Sequence, residues 1–270
     1  MRLYVLFLCG AILCLAQPAD YREGKGFIPT RTYTIEDDRA ILKLFDGLRV
    51  SDVVDGMDVA GLQDVGLIDP AIRPLWRDTE NFAHVFAGIA VTVRYVPTNR
   101  RAPKMTEAEF PKWEGSWYKE LSTEPFSALL RPGSVVVIDG NEDGDTGTIG
   151  SNNILGWKVR GSVGVVTSGG ARDTDEIIKE KVPLYYRRPG RGIRPGRNEV
   201  ESVNRPVTIG GVLVRPGDVI VADGDGVVCV PREHAADAAR AARKILDGDK
   251  AGRRKLYEKL GIPMDRTVQP

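Results

Sequence analysis

The sequence predicts a mixed α/β protein whose strands pack in two layers with helices on one side. Short apolar segments with the alternation of β-strands are interspersed with segments of helical periodicity, but not as strict βαβ units. One strand-forming segment occurs twice, and an alanine-rich amphipathic helix follows the last strand. The chain has 270 residues, enough for one large domain or two small ones.

Composition and charge are those of an ordinary globular protein. Hydrophobic residues make up 42% of the chain and charged residues 28%, and the formal net charge is +1. A chain this close to neutral has no excess charge that would attract a nucleic acid or a membrane surface. We therefore expect no nucleic-acid partner.

The N-terminal segment resembles a secretory signal peptide. Arg2 is followed by an apolar run over residues 3–16, which ends on a small residue and is too short to span a bilayer comfortably. We expect residues 1–16 to be removed, giving an exported protein, periplasmic or secreted, without a membrane anchor. A buried first helix or strand is the alternative. Cys229 would then be the one cysteine left, so no disulfide could form within the chain.

The rest of the chain divides into an arm (residues 17–33), a domain (residues 34–247) and a charged helical tail (residues 248–270). Thr34 is placed to cap the first helix of the domain, and Gly47 to end it. Periodicity predicts the further elements: a helix capped by Ser51 and Asp52, strands at 89–93, 135–138 and 163–167, helices at 152–160 and 174–180, short strands around Val207, Val212 and Val219 and at 227–230, and a helix at 231–246.

One segment of ten residues occurs twice, at 131–140 and 215–224. Each copy begins Arg-Pro-Gly, continues with an apolar run and ends Asp-Gly. A Pro-Gly turn that leads into a buried strand explains both copies. Two copies are too few for a solenoid, so we expect two similar strand starts within one sheet-rich domain.

Several kinds of catalytic site have little support. The two histidines, His84 and His234, have no nucleophile motif nearby, which argues against a Ser-His-Asp or Cys-His site. A zinc site needs several Cys or His ligands, which the chain lacks. A Schiff-base lysine stays open by spacing alone, but Lys158 lies in the middle of a predicted helix.

The segment Gly-Gly-Ala-Arg-Asp, residues 169–173, lies between a predicted strand and a predicted helix. Its two glycines allow a tight turn where backbone can approach a ligand. Arg172 offers a planar fork for a carboxylate, and Asp173 offers a hard oxygen to Mg²⁺ or Mn²⁺. Mg²⁺ needs only one or two carboxylates, so one aspartate suffices. A surface ion pair or a helix cap is the alternative.

A second glycine-rich segment, residues 145–153, ends where a helix is predicted to begin. The free N–H groups of a helix start favour an anion, and glycines let it approach them. Capping by Ser151 alone would explain the same residues. The second loop strengthens the case for a site that binds an acidic small molecule.

Several motifs resemble the family of 4-hydroxy-4-methyl-2-oxoglutarate aldolase and the regulator of ribonuclease E activity, RraA. They cover most of residues 34–246. The pieces are SDVVD at 51–55, FAGIAVTV at 86–93, the strand after RPG at 131–133, the segment 150–173 with KVRG and GGARD, PVTIGGV at 206–212 and VADGDGVV at 221–228. Each motif alone is weak, but their number and order make the resemblance specific.

The resemblance implies a β/β/α swivelling-type domain that assembles as a homotrimer or homohexamer. It implies that Arg172 and Asp173 are catalytic, with Arg172 on the carboxylate of a pyruvate-like group and Asp173 on Mg²⁺ or Mn²⁺. Backbone N–H contacts to the substrate would come from the loop of Gly150, Ser151, Asn152 and Asn153. The implied reaction is metal-dependent (class II) retro-aldol cleavage of a 4-hydroxy-2-oxo acid to pyruvate, often with oxaloacetate decarboxylation.

The chain departs from the family in two places. The family usually has Gly-Glu and two apolar residues where this chain has Gly150, Ser151 and two asparagines, so a carboxylate is missing and the pocket is more polar. Residues 98–127 are also longer than usual. We expect this segment to form a lid or subunit contact through Trp113 and Trp117, or else a surface insertion packed by its own aromatic residues.

Three functions stay open at this point. Arg172 and Asp173 favour a metal-dependent lyase. A non-catalytic regulator of the RraA type is disfavoured by export, because ribonuclease E is cytosolic. A protein that binds a small oxo acid without cleaving it is kept open by Ser151. The sequence does not identify the general base, the natural substrate or the preferred metal.

Overall fold

The structure, a computed structural model, describes residues 26–140 and 144–269. The predicted signal peptide and the first part of the predicted arm lie outside these residues. The rest of the arm, residues 26–33, begins with a turn and contains no helix or strand. A helix with the length and hydrophobicity needed to span a bilayer is not found in the described part of the chain.

The described residues contain six α-helices and eleven strands. The helices are α1 (Ile35–Phe45), α2 (Val50–Val59), α3 (Phe110–Glu120), α4 (Ser151–Val159), α5 (Thr174–Lys179) and α6 (Ala235–Leu260). The strands are β1 (Arg73–Pro74), β2 (Phe86–Pro97), β3 (Ser134–Asp139), β4 (Gly147–Ile149), β5 (Ser162–Ala171), β6 (Leu184–Pro189), β7 (Asn198–Val203), β8 (Val207–Ile209), β9 (Val212–Val214), β10 (Val219–Asp223) and β11 (Gly226–Val230). Short 3-10 helices cover Pro125–Leu129 and Arg232–His234.

Nine strands form one sheet, and β8 and β9 form a separate hairpin. The sheet order is β1-β6-β5-β3-β2-β10-β11, with β4 beside β5 and β7 beside β2. The strands β2 to β6 run parallel to one another, so the carboxyl ends of β3, β4 and β5 meet at one end of the sheet. Ala222 of the antiparallel strand β10 pairs with Phe86. The turn between β10 and β11 therefore lies beyond the amino end of β2, at the opposite end of the sheet.

The two faces of the sheet belong to different cores. Along β3, Val135 and Val137 join the core beneath the β8–β9 hairpin, whereas Val136 and Ile138 join the core beneath α4 and α5. This follows from the alternation of side chains along a strand. A further cluster packs β10 and β11 against α1, α2 and α6. The mixed α/β fold, with two strand layers and helices on one side, is confirmed.

Two predicted local features are confirmed as well. The Thr34 hydroxyl accepts from the Asp37 N–H at 3.0 Å, and the Asp37 carboxylate accepts from the Thr34 N–H at 3.0 Å, so α1 begins with a capping box. In the repeated segment, Gly133 and Gly217 have φ of +90° and +93°, which glycine adopts readily. The strands that follow, β3 and β10, lie on either side of β2.

Two other predicted local features are wrong in whole or in part. Ser51 does not cap α2, which begins at Val50, but Asp52 does contribute to the cap, because its carboxylate accepts from the N–H of the N-cap residue Arg49 at 3.1 Å. The two glycines at 169 and 170 form no turn, because β5 continues to Ala171 between β4 and β6. A Cβ at Gly170 would lie 2.4 Å from the Thr146 carbonyl oxygen, so this glycine permits close packing of the strands.

The last helix continues beyond the predicted 231–246. α6 runs without a break through Gly248 to Leu260 and joins the predicted domain to much of the predicted tail. A glycine inside a helix costs about 1 kcal/mol. Contacts on both sides of Gly248 offset this cost: Leu246 is buried, and Asp249 accepts from the Arg49 guanidinium at 2.9 Å.

Candidate functional site

The two glycine-rich loops predicted separately lie side by side in the fold. Strand β4 pairs with the last residues of β5, with Gly147 opposite Gly170 and Ile149 opposite Ala171. The Arg172 N–H donates to the Ile149 carbonyl at 2.8 Å. Because each strand is followed at once by a helix, this pairing brings the start of α4 against the start of α5.

The Asp173 carboxylate is held at the N-terminus of α4. One oxygen accepts from the Ser151 N–H at 3.1 Å and lies 3.5 Å from the Ser151 hydroxyl. The other lies 3.4 Å from Nε of Arg172. About a third of each side chain, 38% for Arg172 and 35% for Asp173, is exposed, so both can meet a ligand from solvent. The unpaired N–H groups of the helix start favour a negative charge at this place.

The backbone of Asp173 is strained. Its φ of 55° and ψ of 39° lie in the left-handed region, which costs a residue with a side chain about 1 kcal/mol or more. Aspartate tolerates this conformation better than most residues. Strain of this kind persists where the surrounding structure enforces it, and it is often found at functional sites.

Two glycines make room for the pair. A Cβ at Gly150 would lie 2.8 Å from the Asp173 carboxylate, and one at Gly147 would lie 2.7 Å from Cγ of Arg172. The φ of Gly150 is −122°, which any residue can adopt. Space, rather than conformation, is therefore the reason for glycine at position 150.

A polar network supports the loop from behind. Oδ1 of Asn153 accepts from the Gly150 N–H at 3.2 Å, and Nδ2 of Asn153 donates to Glu124 at 2.7 Å. The Trp157 indole donates to the other oxygen of Glu124 at 2.9 Å. Glu124 thus ties the first turn of α4 to the segment between α3 and β3, while Asn152 is exposed on that turn.

Arg194 completes this network. Its guanidinium donates to Glu124 and, at 2.9 Å, to the Tyr95 hydroxyl, and the residue is only 5% exposed. It also lies over the rings of Tyr95 and Tyr118, at 5.5 and 5.0 Å. Burial alone would lower the pKa of Arg194, but Tyr95 and Glu124 outweigh that effect and raise it. The Arg194 guanidinium therefore stays charged.

The aromatic residues of segment 98–127 pack against the chain rather than away from it. Trp117 is 5% exposed, and its indole donates to the Asn198 carbonyl at 2.9 Å. Trp113 lies 5.6 Å from Trp117 and beside Gly196. This geometry favours the packed insertion over a lid. The segment also delivers Glu124 to the loop of the candidate site.

A basic segment borders the loop on another side. Gly147 donates its N–H to the Gly192 carbonyl at 2.8 Å, which brings the chain after β6 against β4. Within this basic segment, residues 187–197, Arg191 pairs with Asp145 at 2.7 Å, and Arg188 at the end of β6 donates to the Gly144 carbonyl at 2.8 Å. Local sequence patterns alone predicted neither this segment nor the Glu124 network as part of the site. Five arginines between positions 187 and 197 were the available signal.

The other residues considered from sequence lie apart from the two loops. His84 is buried just before the amino end of β2, and His234 is exposed before α6. Lys158 is exposed in the last turn of α4, with Nζ 3.5 Å from the Glu180 carbonyl. Cys229 is buried, as predicted, and burial raises the pKa of its thiol.

Metal binding at this place would depend on Asp173. Within residues 26–140 and 144–269, no three His, Cys, Asp or Glu side chains group as a metal cluster would need. Mg²⁺ is commonly held by one or two carboxylates while it keeps several waters. The Asp173 carboxylate is partly exposed, and the missing Cβ of Gly150 leaves space beside it. These residues fit a hard divalent ion held by one carboxylate.

A cavity large enough for a small molecule lies elsewhere. It measures about 810 Å³ and is lined by residues from α1, the α1–α2 junction, α6, the chain before β2 with the start of β2, the β10–β11 turn and the C-terminal segment. That turn lies at the opposite end of the sheet from Arg172 and Asp173. We place the candidate site at these two residues because the chemically suited groups converge there, and we treat the cavity as a separate feature.

Comparison with known proteins identifies the family of the chain. The chain matches the family model RraA-like (Aldolase/RraA) over residues 50–229. An uncharacterized protein of Methanocaldococcus jannaschii, MJ0644, is 31% identical over 225 residues, which covers 82% of this chain and 93% of that protein. A 4-hydroxy-4-methyl-2-oxoglutarate aldolase of Thermus thermophilus is 33% identical over 102 residues, which covers 37% of this chain and 60% of the aldolase. The match thus spans less than two thirds of that aldolase.

The fold has a counterpart among solved structures. Streptomyces coelicolor RraAS2, an unusual member of the RNase ES inhibitor RraA protein family, has a TM-score of 0.63 and 21% identity, covering 81% of this chain and 98% of that one. At this identity the likeness shows the fold alone. The family model, however, covers well over half of the sequence, including both loops. The chain belongs to the RraA-like family, Aldolase/RraA.

Proposed function

We propose that the chain is a divalent-metal-dependent lyase that cleaves a 4-hydroxy-2-oxo acid, similar to 4-hydroxy-4-methyl-2-oxoglutarate, to pyruvate by a retro-aldol reaction. We propose oxaloacetate decarboxylation as a second activity. The observation that carries this proposal is the convergence of Arg172 and Asp173 with the N-terminus of α4. Aldolase relatives within the family support a lyase.

Arg172 and α4 would bind the acidic end of the substrate. The Arg172 guanidinium is a planar fork that can hold a carboxylate through two parallel hydrogen bonds, which fixes the direction of the bond to be broken. The Asp173 carboxylate accepts a hydrogen bond from the Ser151 N–H, so the N–H groups of the first turn of α4 that remain unpaired would bind the substrate. The arginines of the basic segment 187–197 would attract an acid with two negative charges.

Asp173 would hold Mg²⁺ or Mn²⁺. When bound, the metal supplies a Lewis acid that stabilises negative charge developing on a substrate oxygen. Asp173 is positioned for this by its left-handed backbone, by Ser151 and by Arg172. The Ser151 hydroxyl, 3.5 Å from the carboxylate, is a polar group that can orient a water beside it.

Glu124 would act as a positioning residue. Its two oxygens accept three hydrogen bonds, from Asn153, Trp157 and Arg194, so it has no free role as a base in this arrangement. Through Asn153 it fixes the N–H of Gly150 and hence the start of α4. The identity of the general base is not part of the proposal.

The assembly and the cellular location complete the proposal. We propose a homotrimer or homohexamer, because oligomers are formed in the RraA-like family. We also propose export after cleavage of residues 1–16, on the sequence pattern alone. Light scattering and the N-terminal sequence of the protein isolated from its cell envelope or medium would test the two statements.

The lyase proposal is tested by pyruvate release. The substrates are 4-hydroxy-4-methyl-2-oxoglutarate and oxaloacetate, each with Mg²⁺, with Mn²⁺ and with a chelator. Asp173→Ala should abolish the metal-dependent release, whereas Asp175→Asn, an exposed carboxylate in the first turn of α5, should leave it unchanged. The proposal would be refuted if the wild-type protein released pyruvate no faster than the metal ion does in the absence of protein.

A second candidate is a protein that binds a small oxo acid without cleaving it. Ser151 favours it, because no carboxylate stands at this position of the loop. Oxalate resembles the planar product and cannot be cleaved by this reaction. In the presence of Mg²⁺, oxalate at about 100 times its own dissociation constant should stabilise the fold by about 2.7 kcal/mol, whether the protein is a lyase or only binds the oxo acid. Stabilisation by oxalate without pyruvate release would select the second candidate. If oxalate does not stabilise the fold and pyruvate is not released, an RraA-like regulatory role is the function that remains.

A further inference from the structure

The cavity at the amino ends of the central strands has the size of a small-molecule site. Its volume of about 810 Å³ lies within the range of about 300–1,000 Å³ typical of ligand pockets. Its walls come from separate parts of the chain: the α1–α2 junction, the segment 77–87, the β10–β11 turn, the second half of α6 and the C-terminal segment. It is formed by one chain and lies apart from Arg172 and Asp173.

The C-terminal segment is fixed as one wall of this cavity. The Arg253 guanidinium donates to the Thr267 carbonyl at 3.0 Å, and the Arg254 guanidinium donates to the Val268 carbonyl at 2.6 Å. Val268 is fully buried. On the other side, Arg266 donates to the Asn81 carbonyl at 2.6 Å and lies over the Phe82 ring at 4.9 Å. The folded tail therefore closes one side of the cavity.

Positive charge dominates the lining. The cavity is lined by three acidic residues, Asp46, Asp223 and Asp225, and by six basic ones, Lys43, Arg49, Arg77, Lys250, Arg253 and Arg266. The carboxylate of Asp223 is already occupied, because its oxygens accept the N–H groups of Val50 and Asp225 at 2.8 Å each. These backbone hydrogen bonds leave the Asp223 carboxylate less available to a ligand or to the basic side chains.

Three of the basic side chains are available for a ligand. Among the described residues, the structure records no hydrogen bond or ion pair for Lys43, Arg77 or Lys250. The Arg77 guanidinium lies against Gly224, where a Cβ would stand 3.2 Å from Cζ. That glycine lets the guanidinium lie flat on the β10–β11 turn at the rim of the cavity.

His84 adds a neutral donor to the same wall. Its Nδ1 accepts from the Asp78 N–H at 3.1 Å, so the neutral ring carries its proton on Nε2. Burial, helped by the Arg77 charge, lowers the pKa of His84 and keeps the ring neutral at pH 7. An Nε2–H group suits an oxygen acceptor on a ligand.

Part of the lining is apolar. It comes from α1 and the residues just after it, from the start of β2 and from α6, namely Leu42, Phe45, Leu48, Phe86, Ala87 and Leu246. A ligand that fills the cavity must therefore suit both kinds of lining: an anionic group for Arg77 and Lys250, and an apolar group for the leucine and phenylalanine side chains.

We propose that this cavity is a second binding site, independent of the lyase site, for an organic anion that joins a carboxylate or phosphate to an apolar group. The inference does not rest on the proposed function. It rests on the cavity, on the basic side chains for which no hydrogen bond or ion pair is recorded among the described residues, and on the apolar side chains in the same lining.

The test is a fluorescence titration of the full chain with 8-anilinonaphthalene-1-sulfonate, an amphiphilic anion. We expect saturable binding that Arg77→Ala and Lys250→Ala each weaken about tenfold, since a hydrogen bond to a charged group contributes at least that much. Arg240→Ala, at an exposed arginine of α6 paired with Asp237, is the matched control and should not change it. Thermal unfolding of each variant checks that the dye does not report partial unfolding.

Competition identifies the anionic group and the location. Phenyl phosphate or phenylacetate should displace the dye, and the stronger of the two shows which anion the site prefers, whereas benzyl alcohol, which is neutral, should not. Asp173→Ala should leave dye binding unchanged. Three results would each overturn the proposal. The first is equal dye affinity in the wild type and both cavity variants, the second is displacement of the dye by benzyl alcohol as readily as by the anions, and the third is loss of dye binding in Asp173→Ala.

Discussion

Gly150→Ala tests the geometry of the candidate site. The new Cβ would lie 2.8 Å from the Asp173 carboxylate, whereas ordinary contacts begin near 3.4 Å, so the carboxylate must move by about 0.6 Å. Such a shift would stretch the hydrogen bond from the Ser151 N–H, now 3.1 Å, to about 3.7 Å, beyond a useful length. The lost cap costs about 1 kcal/mol, and the reduced entropy of the unfolded chain offsets about half of it or more.

Activity should therefore fall far more than stability does. A misplacement of 1 Å can cost about a hundredfold in rate, so a shift of this size should lower kcat/KM about tenfold or more. The assay is pyruvate release with Mg²⁺, together with urea unfolding. Gly156→Ala is the matched control on the same helix, because its Cβ would meet nothing within 4 Å. Activity of Gly150→Ala within twofold of that control would refute the geometry.

Three further predictions concern single residues. Arg172→Lys keeps the charge but loses the planar fork, so KM for the oxo acid should rise about tenfold while kcat changes less; an unchanged KM would remove the arginine from substrate binding. Glu124→Gln leaves its buried arginine partner poorly compensated. Urea unfolding should show a loss of about 2 kcal/mol, less than for a fully buried pair because Glu124 is 21% exposed, and kcat/KM should fall with it. The exposed Glu120→Gln should change neither, and equal behaviour of the two variants would contradict the positioning role. Burial and then Arg77 lower the pKa of His84 below its ordinary value of 6.5, so folding stability should be lost as the pH falls from about 6.5 towards that lowered pKa. Melting temperatures from pH 7 to pH 5 should fall less steeply in His84→Gln than in the wild type, whereas the exposed His234→Gln should follow the wild type; parallel curves for all three would exclude this source of pH dependence.

Local rules predicted the parts of the fold in which one interaction dominates. The cap at Thr34 and the two Arg-Pro-Gly strand starts depend on neighbouring residues, and both are present. Strands β4 and β7 escaped prediction because they are short or polar and are stabilised by their pairing with β5 and β2. The helix through Gly248 escaped for the same reason, since tertiary contacts on either side outweigh a poor local propensity.

The candidate site shows the same division. The residue types of Arg172, Asp173 and the loop at Gly150 indicated anion and metal chemistry, but only the pairing of β4 with β5 brings the two loops together. The contact of Glu124 with Asn153 joins residues 29 positions apart, and no local pattern indicates it. The glycines at 169 and 170 suggested a turn because glycine permits both turns and close strand packing, and the pairing of β4 decides between them.

A crystal structure of the chain with Mg²⁺ and oxalate would test the central claim most directly. We predict oxalate between Arg172 and the first turn of α4, with the metal on the Asp173 carboxylate beside Gly150. Oxalate and metal bound at another place, such as the cavity lined by Arg77 and Lys250, with the two loops empty, would contradict the assignment of the lyase site.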